Sequence, residues 1–176
     1  MGRSEAIGFK VTHNRLFIVV LLMSLLTAAP ASAQQGLEEA KALDQQVMEL
    51  YQAGKYADAI PLARKALELR EKALGPMHPS VALSLSSLAR LYYETGQYAK
   101  AEPLHQRSLA ILEKALGPDH PQVATSLHNL AALYDETGQH AKAEPLYQRS
   151  LAILEKALGP DHPDVATSLN VLAELY

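Results

Sequence analysis

The sequence predicts an all-α solenoid of antiparallel helix pairs, about three repeats plus one extra terminal helix. Three observations carry this. The first is a strict internal period. Leu-Gly-Pro stands at 74–76, 116–118 and 158–160, His-Pro at 78–79, 120–121 and 162–163, and a glycine at 54, 96 and 138, so every series keeps the same step of forty-two. Segments 94–127 and 136–169 differ at only three positions (Tyr98/His140, His105/Tyr147, Gln122/Asp164), as an internal duplication leaves them. Periods of ~20–50 residues signal units that bury apolar faces against their neighbours. The second observation is helical spacing. Val123, Leu127, Leu130, Ala131 and Tyr134 follow steps of three and four, and after Gly138 a second stripe runs Ala143, Leu146, Tyr147, Ser150, Leu151, Leu154, Leu158. The third is punctuation, placed where helices must stop.

Taken in chain order, the first element is an address and not part of the fold. Arg3, Lys10 and Arg15 form a basic leader, Leu16–Ala29 is an apolar run interrupted only by Ser24 and Thr27, and Pro30 breaks it. Ala31-Ser32-Ala33 supplies the small residues a signal peptidase accepts, so cleavage is expected after Ala33 and residues 1–33 are read as a signal peptide. The rival reading is a membrane anchor, but a spanning helix needs ~20 apolar residues, more than this run supplies. Export to the periplasm or the outside follows, with no stable membrane anchor after cleavage. The stretch 34–176 carries more Asp and Glu than Lys and Arg and is mildly acidic.

The repeat domain then covers 34–176, with units at about 37–78, 79–120 and 121–162 and a partial unit at 163–176. In each, two helices meet at a tight turn, Glu-Thr-Gly-Gln in the second and third units. Gly117 and Gly159 fit the position just past a helix end, where φ is positive, and Pro118 and Pro160 prevent continuation. Asp119 and Asp161 are expected to cap the next helix, with Pro121 and Pro163 in its first turn. Pro61, Pro103 and Pro145 fall inside the second helix of each pair, where each removes one hydrogen bond and is expected to bend the helix. The terminal helix keeps a core-like face of Leu169, Leu172, Ala173 and Tyr176.

Chemistry finds little purchase. Without cysteine there is no disulfide, no thiol nucleophile and no cysteine-based metal site. The net negative charge argues against nucleic acid, which is bound by clustered Lys and Arg. His78, His120 and His162 recur once per unit, a repeat apart, and so cannot share a zinc ion; they read as turn residues that order the junction. His105 and His140 exchange with tyrosine at equivalent positions, which marks packing or surface roles. No Ser–His–Asp arrangement or phosphate loop stands out, and no enzyme activity, metal or cofactor is expected.

The spacing Leu127, Leu130-Ala131, Tyr134, Ala143 and Tyr147, with Leu85, Leu88-Ala89, Tyr92, Ala101 and His105 before it, resembles the tetratricopeptide repeat. The elongated period of forty-two and the Gly-Pro-Asp-His-Pro-x-Val-Ala junction resemble the kinesin-light-chain subtype. The resemblance implies a right-handed superhelix whose first helices line a concave groove. On that pattern the groove positions are Asp44, Met48, Tyr51 and Gln52, then Ser86, Arg90, Tyr93 and Glu94. His128, Asn129, Ala132, Asp135 and Glu136 follow, and then Asn170 and Glu174. Asn129 is the expected leading contact and Asn170 the second, since one amide both donates to and accepts from a peptide backbone; Arg90 is placed to hold a carboxylate. The resulting expectation is a non-catalytic exported scaffold that binds a peptide segment of a partner protein, with some basic character in that segment. The alternative is a structural module that self-assembles through its terminal repeats, a homo-oligomer joined at the C-terminal helix.

Overall fold

The computed structural model describes residues 31–175, and every regular element among them is helical. They are α1 (Ala31–Gln52), α2 (Tyr56–Leu74), α3 (Pro79–Glu94), α4 (Tyr98–Leu116), α5 (Pro121–Glu136), α6 (His140–Leu158) and α7 (Pro163–Leu175). Gly36–Tyr176 form one compact unit. The leader expected at 1–33 lies outside the described residues except for Ala31–Ala33. Among the described residues α1 already runs from Ala31, ahead of Leu37, the start expected for the repeat.

Each pair closes on small residues. Ala82, Ala89 and Ala101 in the second unit, and Ala124, Ala131 and Ala143 in the third, are completely buried, so the two backbones can approach closely. Leu85, Leu88 and Tyr92, with Leu127, Leu130 and Tyr134 one repeat on, fill the remaining space. Inside this apolar seam Ser108 and Ser150 are wholly buried, and each hydroxyl donates to the carbonyl of Ala82 or Ala124 at 2.8 Å. A buried hydroxyl needs such a partner, and the one it finds ties the second helix of a pair to the first.

The turns follow from their sequences. At Glu-Thr-Gly-Gln, Gly96 takes φ 70° and Gly138 φ 71°. The amide of Gln97 then reaches the Tyr92 carbonyl at 2.7 Å and that of Gly96 the Tyr93 carbonyl at 2.9 Å, closing the helix end with a left-handed residue. Between units the cap differs from expectation. His78, His120 and His162 are the capping residues: each imidazole Nδ1 accepts the amide of Ser80, Gln122 or Asp164 at 3.1, 3.1 and 3.2 Å. Proline follows each histidine and needs no partner for its nitrogen, so the imidazole serves the next exposed amide. Asp119 instead pairs with Lys156 across the junction at 2.6 Å, which lowers its carboxyl below the usual range.

Pro61, Pro103 and Pro145 sit inside α2, α4 and α6, which run through them uninterrupted. The residues four before them, Ala57, Ala99 and Ala141, are exposed, so water can satisfy the carbonyls that proline leaves unbonded.

Successive units are joined along both layers. On the second helices, Arg107 pairs with Glu71 of the preceding unit and donates to the Pro76 carbonyl, and Arg149 repeats this with Glu113 and Pro118. At the first junction Arg70 of α2 binds both carboxylate oxygens of Asp44 on α1 and the Ser84 hydroxyl on α3. Asp44, expected in the groove, is thus held by this three-helix bridge. On α7, Val165 and Leu172 are buried. Leu169 is 47% exposed, whereas its counterparts Leu85 and Leu127 are fully covered. Ala173 is exposed as well, and Tyr176 lies outside the described residues.

Candidate functional site

The first helices α3 and α5 are equal in length and differ at six positions: Ser80/Gln122, Leu83/Thr125, Ser86/His128, Ser87/Asn129, Arg90/Ala132 and Tyr93/Asp135. Steps of three and four place all six on one face. None of these residues is buried. Eight of the ten identical positions are buried in both helices; the others are the opening proline and the closing Glu94 or Glu136. Packing therefore accounts for what the repeats share. The stripe is where they diverge, and it contains Arg90, Tyr93, His128, Asn129 and Asp135. In α7 the differences from α5 at 164, 170, 171 and 174 fall on the same stripe and include Asn170.

Tyrosine and glutamate connect neighbouring first helices across this face. The Tyr51 hydroxyl donates to Glu94 at 2.6 Å, and one repeat later Tyr93 donates to Glu136 at 3.4 Å. Each tyrosine also meets the ring that opens the following helix: Tyr51 lies 5.0 Å from Tyr56, and Tyr93 5.5 Å from Tyr98. Tyr98 donates to the other oxygen of Glu136 at 3.4 Å. Burial, followed by the neighbouring carboxylate, raises the Tyr51 and Tyr93 hydroxyls above the usual range. In the third unit both members of the pair have changed together. Asp135 replaces Tyr93, His140 replaces Tyr98, and the ring contact becomes a hydrogen bond between imidazole Nδ1 and carboxylate at 2.8 Å.

The Arg90 guanidinium lies 4.3 Å over the Tyr51 ring and 3.9 Å from Glu94, with its side chain 63% exposed. His128 is half-buried, its ring edge-on to Tyr147 at 5.1 Å, and burial lowers its pKa. Asn129 is partly exposed and Asn170 exposed. The structure brings Arg90 and Glu94 together at one rung and Tyr93 and Glu136 at the next, while Asn170 stands apart on α7. Reading the sequence by family pattern missed Tyr56, Tyr98 and His140, which belong to the second helices. The signal that finds them is the paired exchange of Tyr93 and Tyr98 for Asp135 and His140.

Among the described residues no three His, Asp or Glu side chains come together to hold a metal, and no helix is long and apolar enough to cross a membrane.

The fold and its exposed stripe define a helical-repeat solenoid with one layer of first helices available for contact. The tetratricopeptide repeat profile matches residues 50–114, 88–156 and 137–176, and the chain belongs to that family, in its kinesin-light-chain-like form. A solved structure of a kinesin light chain from Podosopora anserina, with nearly identical TPR-like repeats, is 32% identical. It superposes with a TM-score of 0.71 over 77% of this chain and 64% of its own. The BtubC (BKLC) protein of P. vanneervenii is 26% identical, with a TM-score of 0.67 over 83% of this chain and 63% of that one. This chain thus spans less than two thirds of either. The first TPR of Spaghetti (RPAP3), solved with the HSP90 peptide SRMEEVD, shares the fold at 18% identity and a TM-score of 0.57, covering 79% of this chain and 91% of its own. No curated protein matches the sequence.

Proposed function

We propose that this chain is a non-catalytic scaffold that holds a peptide segment of a partner protein along the stripe formed by α3, α5 and α7. The observation that carries this is the confinement of first-helix divergence to stripe positions outside the buried core, while the packing residues stay the same. A surface released from packing and varied unit by unit can read a different side chain at each step. That a domain of the same fold is solved with a peptide supports the reading. Glu94, Asp135 and Glu136 on the face favour a segment with basic residues. The test is a pull-down with the chain as bait. Asn129→Ala with Tyr93→Ala, both on the exposed stripe, is expected to lose a partner that the native chain retains, with helicity unchanged. Equal retention by both would refute the assignment.

We further infer export, from the basic leader, apolar run and small-residue site at 31–33; amino-terminal sequencing of the chain recovered outside the cytoplasm should begin at Gln34. A second reading, self-association through the terminal repeats, draws on the exposure of Leu169 and Ala173 on α7. Mass measurement across concentration separates the two, because a strict monomer removes self-association and leaves the scaffold.

A further inference from the structure

The two tyrosine–glutamate rungs repeat one arrangement, and the second lacks the cation that the first contains. At the first, the chain itself supplies a guanidinium: Arg90 lies over the Tyr51 ring at 4.3 Å and 3.9 Å from Glu94, and Tyr56 packs on Tyr51. At the second, Tyr93, Tyr98 and Glu136 stand at the three equivalent positions, each one repeat on, and Ala132 stands where Arg90 does. Alanine brings no cation. Among the described residues, no lysine, arginine or histidine lies within ion-pair distance of Glu136. Among the described residues its side-chain partners are the two tyrosine hydroxyls, both at 3.4 Å, beyond the ~2.5–3.0 Å of a well-made O–H···O bond. In the first rung, with its arginine, the tyrosine–glutamate bond is 2.6 Å.

We propose that Tyr93, Tyr98 and Glu136 form a receptor for one arginine side chain of the bound segment, which takes the place that Arg90 takes one repeat earlier. The proposal rests on the reading of this face as a peptide-binding surface and names the residue that the surface selects. Arginine fits better than lysine because a planar, weakly hydrated guanidinium stacks on a tyrosine ring while still donating to a carboxylate. Asp135 beside the receptor adds negative potential and disfavours an acidic side chain there. The first rung cannot compete for the same ligand, since its own arginine fills it.

The test counts arginine sites. N-acetyl-arginine amide is titrated into the full chain carrying ¹³C-labelled tyrosine, with the neutral isostere N-acetyl-citrulline amide in parallel. The arginine probe should shift the Tyr93 and Tyr98 ring resonances saturably, and citrulline should bind at least about fivefold more weakly. Ala132→Arg should abolish the response by supplying the guanidinium from within. Glu136→Gln should weaken it about fivefold. Arg90→Ala should create a second responding site at Tyr51 and Tyr56. Absence of a saturable shift at Tyr93 and Tyr98, equal binding of citrulline, or an unchanged response in both Ala132→Arg and Glu136→Gln would overturn the proposal.

Peptides selected on the chain from a random library, and challenged with Asn129→Ala, separate this from the broader reading. Stripe-dependent peptides without arginine would sink the receptor and leave the scaffold standing. A probe response without any stripe-dependent peptide would do the reverse.

Discussion

His105 should make this solenoid sensitive to mild acid, and the effect can be worked from the structure. The side chain is 3% exposed in α4, and its Nδ1 has no hydrogen-bond partner. Burial lowers its pKa from 6.5 to about 4. The folded chain therefore holds the imidazole neutral at pH values where the unfolded chain already protonates it. Stability is fully present above pH 6.5 and is lost progressively as the pH falls toward 4, at ~1.4 kcal/mol per unit. Between pH 7 and pH 5 the loss from this residue is about 2 kcal/mol, rising to about 3 kcal/mol at pH 4.

The neighbouring unit suggests the control. Tyr147 occupies the equivalent position, buried, with its hydroxyl pushed up to about 12 by burial first and Asp135 second, so it stays neutral throughout this range. His105→Tyr should therefore lose about 2 kcal/mol less than the native chain over the same pH interval. Urea unfolding followed by far-ultraviolet circular dichroism at each pH supplies the comparison. If both proteins lost the same stability, the acid response would arise elsewhere, and the assignment to His105 would be wrong. His128, also lowered by burial, contributes equally to both and cancels.

Three further outcomes follow from the packing and the turns. Leu127→Ala, at a fully buried site between α5 and its neighbours, should cost about 3 kcal/mol in chemical denaturation; a loss under about 1 kcal/mol would mean the seam is looser than described. His120→Ala removes the imidazole that caps α5 and should cost about 1 kcal/mol, whereas Asp119→Ala should leave the α5 cap intact; equal effects would restore the aspartate as the capping residue. Gly138→Ala forces a side chain into φ 71° and should lower stability by about 1–2 kcal/mol in thermal melts, although an added Cβ would meet no atom within 4 Å. Strain, and not a clash, is what that measurement would report.

Much of this protein was legible along the chain because its determinants are local or periodic. The repeat step, the apolar spacing of Val123 to Tyr134, and glycine followed by proline at 117–118 specify the helices, their ends and their stacking without reference to anything distant. The divergent stripe was legible too, as positions on a helical face. What each of its residues touches was not. Asp44 reads as a groove carboxylate until Arg70, far along the chain on α2, is seen to hold it; Asp119 reads as a cap until Lys156, on α6, takes it. Tyr93 and Glu136 read as separate exposed side chains until neighbouring first helices bring them into one rung with Tyr98. Periodicity dictates which face a residue occupies, since that depends only on its own helix. Partner and charge state depend on the distance to residues on other helices, which only the packing of one unit on the next sets.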